Sequence, residues 1–313
     1  MTPPRELRIP DELGGVRADR VVAVLCEISR AEARRAVDNG RVRLDGAAIS
    51  ASQPLAAGDL IVVELIDPPP LMVPTAVDFD VVYTDDDFLV VAKPAGVVVH
   101  PGAGTTEPTL VAGLVHRFPE LGELADARWG LVHRLDRDTS GALLVARNAE
   151  THKALQDELR ARHIARTYLA LVHGVPESAK GTIDAPLGRD PHHPTRMALV
   201  QGGRPARTHF TLAASWGDAA LLEVALETGR THQIRVHLAS IGHAVIGDRT
   251  YAGRRAAHRA DPGRQWLHAV RIGFVHPTSG QPVAVEADPP PDLMASLAAL
   301  GPPRAGDTAL LRR

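Results

Sequence analysis

The densest run of chemistry-bearing side chains is His133-Arg134-Leu135-Asp136-Arg137-Asp138-Thr139-Ser140-Gly141. If an extended strand continues to Asp136, then Val132, Arg134 and Asp136 alternate onto one face and aim a guanidinium and a carboxylate into a common space. Asp, Thr, Ser and Gly are also the residues of a hairpin loop, and taken alone the run fits a turn better than a site. A second run, Gly229-Arg230-Thr231-His232-Gln233-Ile234-Arg235-Val236-His237, holds Arg235 beside an apolar stripe of Ile234, Leu238 and Ile241. An arginine partly buried there needs an anionic partner, and an acid held in that way stays ionised at neutral pH. A purely structural ion pair would leave the same trace.

Fifteen histidines invite a metal reading. His232 and His237 are five apart and fall on different sides of a helix, whereas the metalloprotease spacing of four shares a face. The single cysteine, Cys26, excludes an intrachain disulfide and a zinc site built on cysteine pairs. No metal ligand set is expected, and the histidines read as structural or surface-facing.

The elements that must position these groups fall into two parts. The chain has 313 residues, 44% hydrophobic and 23% charged, enough for one large domain and a small one or for two of medium size. No apolar run approaches the 18 or so residues of a membrane span, and the start, MTPPRELRIP, has no apolar segment of the signal-peptide kind. A soluble cytoplasmic protein is expected.

Residues 12–66 read as a compact module. Arg17–Leu25 has helical periodicity with Val21, Val24 and Leu25 on one face. Ser29-Arg30-Ala31-Glu32 is a capping box opening a helix that runs to Asn39 and stops at Gly40. Strands follow at Arg41–Leu44, turning through Asp45-Gly46, and at Leu60–Leu65. Arg30, Arg34, Arg35, Arg41 and Arg43 lie close together, with Arg30 and Arg34 on one helix face. RNA contact is one reading of that cluster, a solvated face the other. Residues 67–74 (DPPPLMVP) form a proline-stiffened linker.

Beyond it, strands are expected at Asp80–Tyr83, Phe88–Ala92, Leu143–Ala146, Thr167–Val172, Arg207–Ala213 and Leu221–Leu226. Helices are expected over 149–162, capped by Asn148, and over Thr231–Ile241, closed by Gly242. Strands outnumber helices without βαβ alternation, which favours an α+β fold with a mixed sheet and helices on its flanks. Lys93-Pro94 and His100-Pro101-Gly102 read as architectural, in a loop from which Lys93 could reach a phosphate. The tail after Gly301 reads as loose.

Charge is uneven. The net charge is −2, residues 67–125 carry a balance of −7, and residues 126–313 carry +6. Thirty-two of the thirty-five basic side chains are arginines, suited to bidentate phosphate contacts and base stacking. An arginine-biased genome would give the same count.

Two resemblances resolve these alternatives. SRAEARRAVDNGRVRLDG resembles the small RNA-binding domain of ribosomal small-subunit protein four. HRLDRDTSG resembles the signature of the RluA-type pseudouridine synthases, and five further segments match in the same order. They are VVAKPAGVVVHPGAG from 90, TYLALVHG at 167–174, LETGRTHQIRVHL at 226–238, GDRTYAG at 247–253 and LHAVRIGFVHPTSG at 267–280. The similarity spans about residues 12–290 and is nearest to the RluD-like group, which modifies large-subunit ribosomal RNA.

The resemblance implies an isomerase that converts uridine to pseudouridine in structured RNA, with no cofactor and no obligate protein partner. It implies a largely antiparallel catalytic domain over 75–292, followed by a C-terminal helix or loose tail over 293–313. Asp136 matches the family's essential aspartate, and Arg235 the basic residue that pairs with it. Tyr168 matches the tyrosine that stacks on the target base, and Arg134 a residue that enters the RNA stack. The reaction moves uracil from a nitrogen link to a carbon link on the sugar. It needs a nucleophile or electrostatic stabiliser, a sealed pocket and loss of a ring proton, and an aspartate held by Arg235 can fill the first role.

Overall fold

The computed structural model describes residues 4–26, 28, 30–64, 73–101, 105, 107–124, 128–193, 195–253 and 257–308, without the side chains of Ala31, Glu32 and Arg35. The chain divides into two compact units, Met1–Val73 and Pro74–Arg313.

The first unit carries strands β1 (Arg5–Arg8), β2 (Val42–Leu44), β3 (Ala47–Ala48) and β4 (Leu60–Val63), with helices α1 (Ala18–Leu25) and α2 (Arg30–Asp38). The sheet order is β1-β4-β2-β3, all antiparallel. β1 extends the unit ahead of residue 12. Ala18, Val21 and Val22 of α1 pack with Ala33, Val37, Val42, Ile61 and Val63 in one apolar core. Val24, expected on the buried face, is 55% exposed. At 100° per residue, a stripe through 18, 21, 22 and 25 leaves position 24 outside it. The capping box at Ser29 and Glu32 lies outside the described residues.

The second unit contains β5 (Asp80–Thr84), β6 (Phe88–Lys93), α3 (Leu110–Arg117), β7 (Ser140–Ala146), α4 (Ala149–Arg160) and β8 (Ala165–His173). It continues with β9 (Lys180–Asp184), β10 (Leu187–Arg189), β11 (Met197–Leu199), β12 (Arg207–Ser215), β13 (Ala219–Leu226) and α5 (Gln233–Ser240). It ends with β14 (Leu267–Val275), β15 (Pro282–Glu286), α6 (Pro291–Ala298) and β16 (Ala305–Gly306). Ten strands form one sheet, whose main order is β16-β12-β13-β8-β14-β7-β6-β5, with β9 on β12 and β15 on β14. Every pairing is antiparallel except that of β7 with β14. The fold is therefore the expected mixed, largely antiparallel α+β arrangement.

The tail is not loose through residue 307. Arg304 and Asp307 donate backbone N–H groups to Ser215 and Ala213 at 2.7 and 3.1 Å, so the tail adds β16 to the sheet.

The elements that carry the site have clear local causes. All seven residues of β7, SGALLVA, are buried, so this strand reads as an apolar run rather than an alternation. α4 opens where Asn148 Oδ1 accepts the Thr151 N–H at 2.8 Å, a side-chain cap worth about 1 kcal/mol. The parallel contact rests on two register pairs, His268 with Ser140 and Ala269 with Gly141. Gly141 has φ +116°, and a Cβ on it would meet the Ala269 carbonyl oxygen at 2.2 Å. Only glycine allows that approach. Within the acidic stretch before the site, Asp85 shapes the β5–β6 turn: it accepts from Tyr83 Oη and from the backbone N–H groups of Asp87 and Phe88.

Candidate active site

The segment from Leu131 to Thr139 is not a strand. Leu131 makes one bridge to Val145, and the chain then runs as a loop into β7. Leu135 is buried and acts as the anchor, Arg134 is exposed, and Asp136 is half-buried. The alternation expected of a strand is replaced by a turn at Arg137-Asp138, closed by the Thr139 N–H to the Asp136 carbonyl at 3.2 Å.

Arg235 reaches this loop from the first turn of α5. Its Nη1 donates to Asp136 Oδ2 at 3.0 Å, while Nε and Nη2 donate to Asp248 Oδ2 and Oδ1 at 2.7 and 3.0 Å. The side chains of Arg235 and Asp248 are 7% and 0% exposed, and that of Asp136 is 17% exposed. Burial works against the charged form of Arg235, but the hydrogen bonds and charge of Asp248, with the charge of Asp136 behind them, raise its pKa above the ordinary value. Its guanidinium also lies 5.1 Å from the centre of the Tyr251 ring. Asp248 accepts the backbone N–H groups of Thr250 and Tyr251 as well, at 2.9 and 3.1 Å, so its carboxylate is fully partnered.

Ile234 and Leu238 bury the α5 face as expected, but Ile241 is 40% exposed. The helix ends at Ser240, and Thr231 and His232 precede it rather than belonging to it. His232 is left-handed, with φ 55°, and its Nδ1 meets Tyr251 Oη at 2.8 Å. Tyr251 Oη accepts the Met197 N–H at 2.9 Å.

Tyr168 stands on β8, buried at 5% exposure, and burial raises its phenol pKa. It lines a cleft of about 460 Å³ together with Asp136, Arg134, Arg166, His232 and Arg235. A second cleft of about 360 Å³ shares Asp136, Arg134, His232 and Arg235. The rim of the larger one carries Arg128, Arg160, Arg162 and Arg230. Asp136, Tyr168, Arg235 and Arg134 are thus brought together.

Lys93 is not at hand for a phosphate. It is 1% exposed, and its ammonium donates to the carbonyls of Pro94, Val97 and Arg137 at 2.6, 2.9 and 2.8 Å. Burial pulls its pKa down to about 7. With three hydrogens and three carbonyls it ties the β6 end to the turn after Asp136, and no donor remains for RNA. The expectation of a loop position from which it reaches a phosphate fails on both counts: Lys93 is the last residue of β6, in register with Gly141, and it is buried.

In the first unit, Arg30 donates through Nε and Nη2 to buried Asp19 at 3.3 and 3.2 Å, and Arg34 lies 3.5 Å from Asp38. Arg43 is exposed and Arg41 half-buried, while the Arg35 side chain lies outside the described residues.

The sequence reading did not single out Asp248, Arg166, His133 or Tyr251. Asp248 and Tyr251 lie in the segment GDRTYAG and Arg166 precedes Thr167-Tyr168, so the motifs held them without marking a role. Among the described residues, no group of three or more His, Cys, Asp or Glu is placed to hold a metal ion, and no helix is long and apolar enough to cross a membrane.

Residues 87–240 match the RNA pseudouridylate synthase family, and residues 16–61 match the S4 domain. An uncharacterized RNA pseudouridine synthase of Chloroflexus aurantiacus is 46% identical over 293 residues, covering 92% of this chain and 91% of that one. The chain belongs to the RNA pseudouridylate synthase family. A protein of Nitrosomonas europaea named ribosomal large subunit pseudouridine synthase D is 40% identical, with 94% of this chain and 87% of that one covered. Among solved structures, human RNA Pseudouridylate Synthase Domain Containing 1 aligns with a TM-score of 0.56 and 30% identity, over 74% of this chain and 90% of that one. A pseudouridylate synthase is an RNA isomerase, and the first unit is a small S4 module.

Proposed function

We propose that this enzyme isomerises uridines of large-subunit ribosomal RNA, with Asp136 as the catalytic carboxylate. The observation that carries the reading is the grip of Arg235 on Asp136 at 3.0 Å, on the wall of a cleft shared with the buried Tyr168. The relative named as a large-subunit enzyme supports the choice of RNA.

A uridine inside a stack is out of reach of a half-buried carboxylate, so it is flipped into the cleft at a cost of about a few kcal/mol. Tyr168 offers the apolar ring face on which the base rests. Arg134, exposed at the cleft mouth and free of ion pairs among the described residues, fills the gap left in the RNA stack. The rim arginines meet phosphates. Asp136, fixed by Arg235, then meets the sugar or base as nucleophile or charge stabiliser. The S4 module, residues 12–66 beyond the linker 67–74, adds affinity through Arg30, Arg34, Arg35, Arg41 and Arg43.

The test is to incubate the purified chain with transcribed large-subunit ribosomal RNA in excess chelator, using a pre-folded short fragment as control, and to map pseudouridine. Site-specific pseudouridine is expected. Its absence with folded protein and folded RNA overturns the reading. Loss on chelation with rescue by a divalent ion, on the pre-folded fragment, favours a metal-dependent hydrolase instead.

A further inference from the structure

Among the described residues, Arg166 is a buried cation without an anion. It stands two residues before Tyr168 on β8, so the two side chains leave the strand on the same face, and both line the larger cleft. Arg166 is 7% exposed. Among the described residues its Nε has no hydrogen-bond partner, and Nη2 makes only long contacts to the carbonyls of Leu226 and Glu227 at 3.5 and 3.4 Å. Glu227 turns its carboxylate away, to Arg162 at 2.7 Å, His209 at 2.8 Å and Arg207 at 3.4 Å. Gly229 leaves the space: a Cβ there would sit 2.7 Å from Arg166 Nη1. Beside it in the cleft, His133 accepts the Leu144 N–H on Nε2 at 3.2 Å, which puts its proton on Nδ1, and that buried Nδ1 also lacks a partner among the described residues. Burial, and then the Arg166 charge, push His133 down to about 3, so it stays a neutral donor at physiological pH.

An unpaired buried charge is among the costliest features a fold can carry, and it persists where a ligand supplies the missing partner. RNA phosphates run along the outside of a flipped nucleotide, where the exposed Arg128, Arg160 and Arg162 lie on the rim. What enters the depth beside Tyr168 is the base.

We propose that Arg166, with the His133 Nδ1–H beside it, stabilises the negative charge on uracil when its bond to the sugar breaks. This rests on the isomerase reading above. The N1–C1′ bond breaks and its electron pair stays with the base, spread from N1 onto the two ring carbonyl oxygens. The electron-poor sugar carbon is met by Asp136. The base rotates, C5 supplies the electron pair of the new C5–C1′ bond, and the C5 proton leaves while N1 gains one, so atoms and charge balance. A donor fixed in advance toward developing charge in a site shielded from water accelerates the step without strengthening the ground state.

The experiment compares wild type, Arg166→Met and Arg166→Lys on large-subunit ribosomal RNA transcribed with uridine or with 5-fluorouridine. It measures RNA Kd, Tm and the single-turnover rate of N1–C1′ bond breakage at saturating enzyme, the step common to both substrates, since 5-fluorouridine has no C5 proton to lose. The expected result for Arg166→Met is a rate lower by about 100-fold, Kd within about threefold, and Tm unchanged or raised, because a costly charge is gone. Arg166→Lys recovers part of the rate. The defect shrinks with 5-fluorouridine, whose departing base bears negative charge more readily. A Kd weakened more than about tenfold at unchanged rate would assign Arg166 to a phosphate and overturn the proposal. So would a rate loss that tracks a lowered Tm in both variants, or a defect equal on the two substrates. An inactive wild type overturns the isomerase reading and this proposal together, whereas an active wild type with unaffected variants overturns this proposal alone.

Discussion

Asp248 holds Arg235 by two hydrogen bonds, at 2.7 and 3.0 Å, and leaves it a single one, at 3.0 Å, for Asp136. The arginine is therefore a bracket with its base on Asp248 and its arm on Asp136. Asp248→Ala removes the base and strands a buried charge, which should cost about 3–5 kcal/mol of stability. Asp248→Asn keeps the shape and lets Arg235 swing toward Asp136, and a misplacement of about 1 Å there should lower kcat on the order of 100-fold. Urea unfolding and single-turnover kinetics read the two effects. A fully active Asp248→Asn enzyme would mean that the bracket does not set the carboxylate's position.

Asp136→Asn should abolish pseudouridine formation, because the amide keeps size and loses charge. RNA affinity should stay within about tenfold, or about 1.4 kcal/mol. The fold should survive, since Arg235 retains both bonds to Asp248. Appreciable turnover by this variant removes Asp136 from the mechanism.

His268 gives an acid limit to stability. It is 1% exposed, its Nε2–H donates to the Ala287 carbonyl at 2.8 Å, and its Nδ1 accepts from Ser140 Oγ at 2.9 Å. Burial pulls its pKa down to about 4, below the 6.5 or so of an unfolded histidine. Between those values the unfolded chain binds the proton and the folded chain does not, so stability rises with pH through that window and is lost as pH falls from about 6.5 to about 4. Full protonation corresponds to roughly 3 kcal/mol for this group. The slope of Tm against pH over that range should be shallower in His268→Asn, and an identical slope would place the acid sensitivity elsewhere.

Gly141→Ala should fail at the β7–β14 contact, since its Cβ would meet the Ala269 carbonyl oxygen at 2.2 Å in a positive-φ position. A loss of more than about 4 kcal/mol is expected, in the exceptional range for one substitution. A denaturant midpoint within experimental error of wild type would show that the two strands can part there at little cost.

Replacing Arg30, Arg34 and Arg35 by alanine should weaken RNA binding and flatten its salt dependence, because each phosphate neutralised releases counterions. Arg30 already serves Asp19 and Arg34 lies near Asp38, so the drop in slope should be below the roughly 2–3 that three clean phosphate contacts would give. The maximal rate should hold while apparent affinity falls. Unchanged affinity and slope would leave these arginines as a solvated face.

Much of the second unit was legible because its strands are long apolar or β-branched runs, as in Phe88–Lys93 and Ser140–Ala146, and because Asn148 announces α4. β14 escaped because Gly273, Arg271 and a register shift between Ala269 and Arg271 break its pattern, while β9, β10, β11 and β15 are runs of only three to five residues. The site was harder. Asp136 and Arg235 are 99 residues apart, so no local period joins them, and it was the resemblance to known synthases that matched them as a pair. Asp248 follows a glycine and reads as a turn, and Arg166 reads as an ordinary strand charge. What marks both is partnership: one has every acceptor filled and the other has donors to spare, and only folded geometry displays that.

β7 and β8 follow one another along the chain, yet β14 lies between them in the sheet. The loop bearing Asp136 enters the first, and Tyr168 and Arg166 stand on the second. During synthesis the carboxylate and the phenol ring therefore emerge early and wait for a strand made much later to be wedged between them. Long-range insertion of this kind comes late in folding. Catalytic competence is thus a report on completed synthesis, and a chain cut short before Leu267 would keep its signature residues and lack the wedge that sets them face to face.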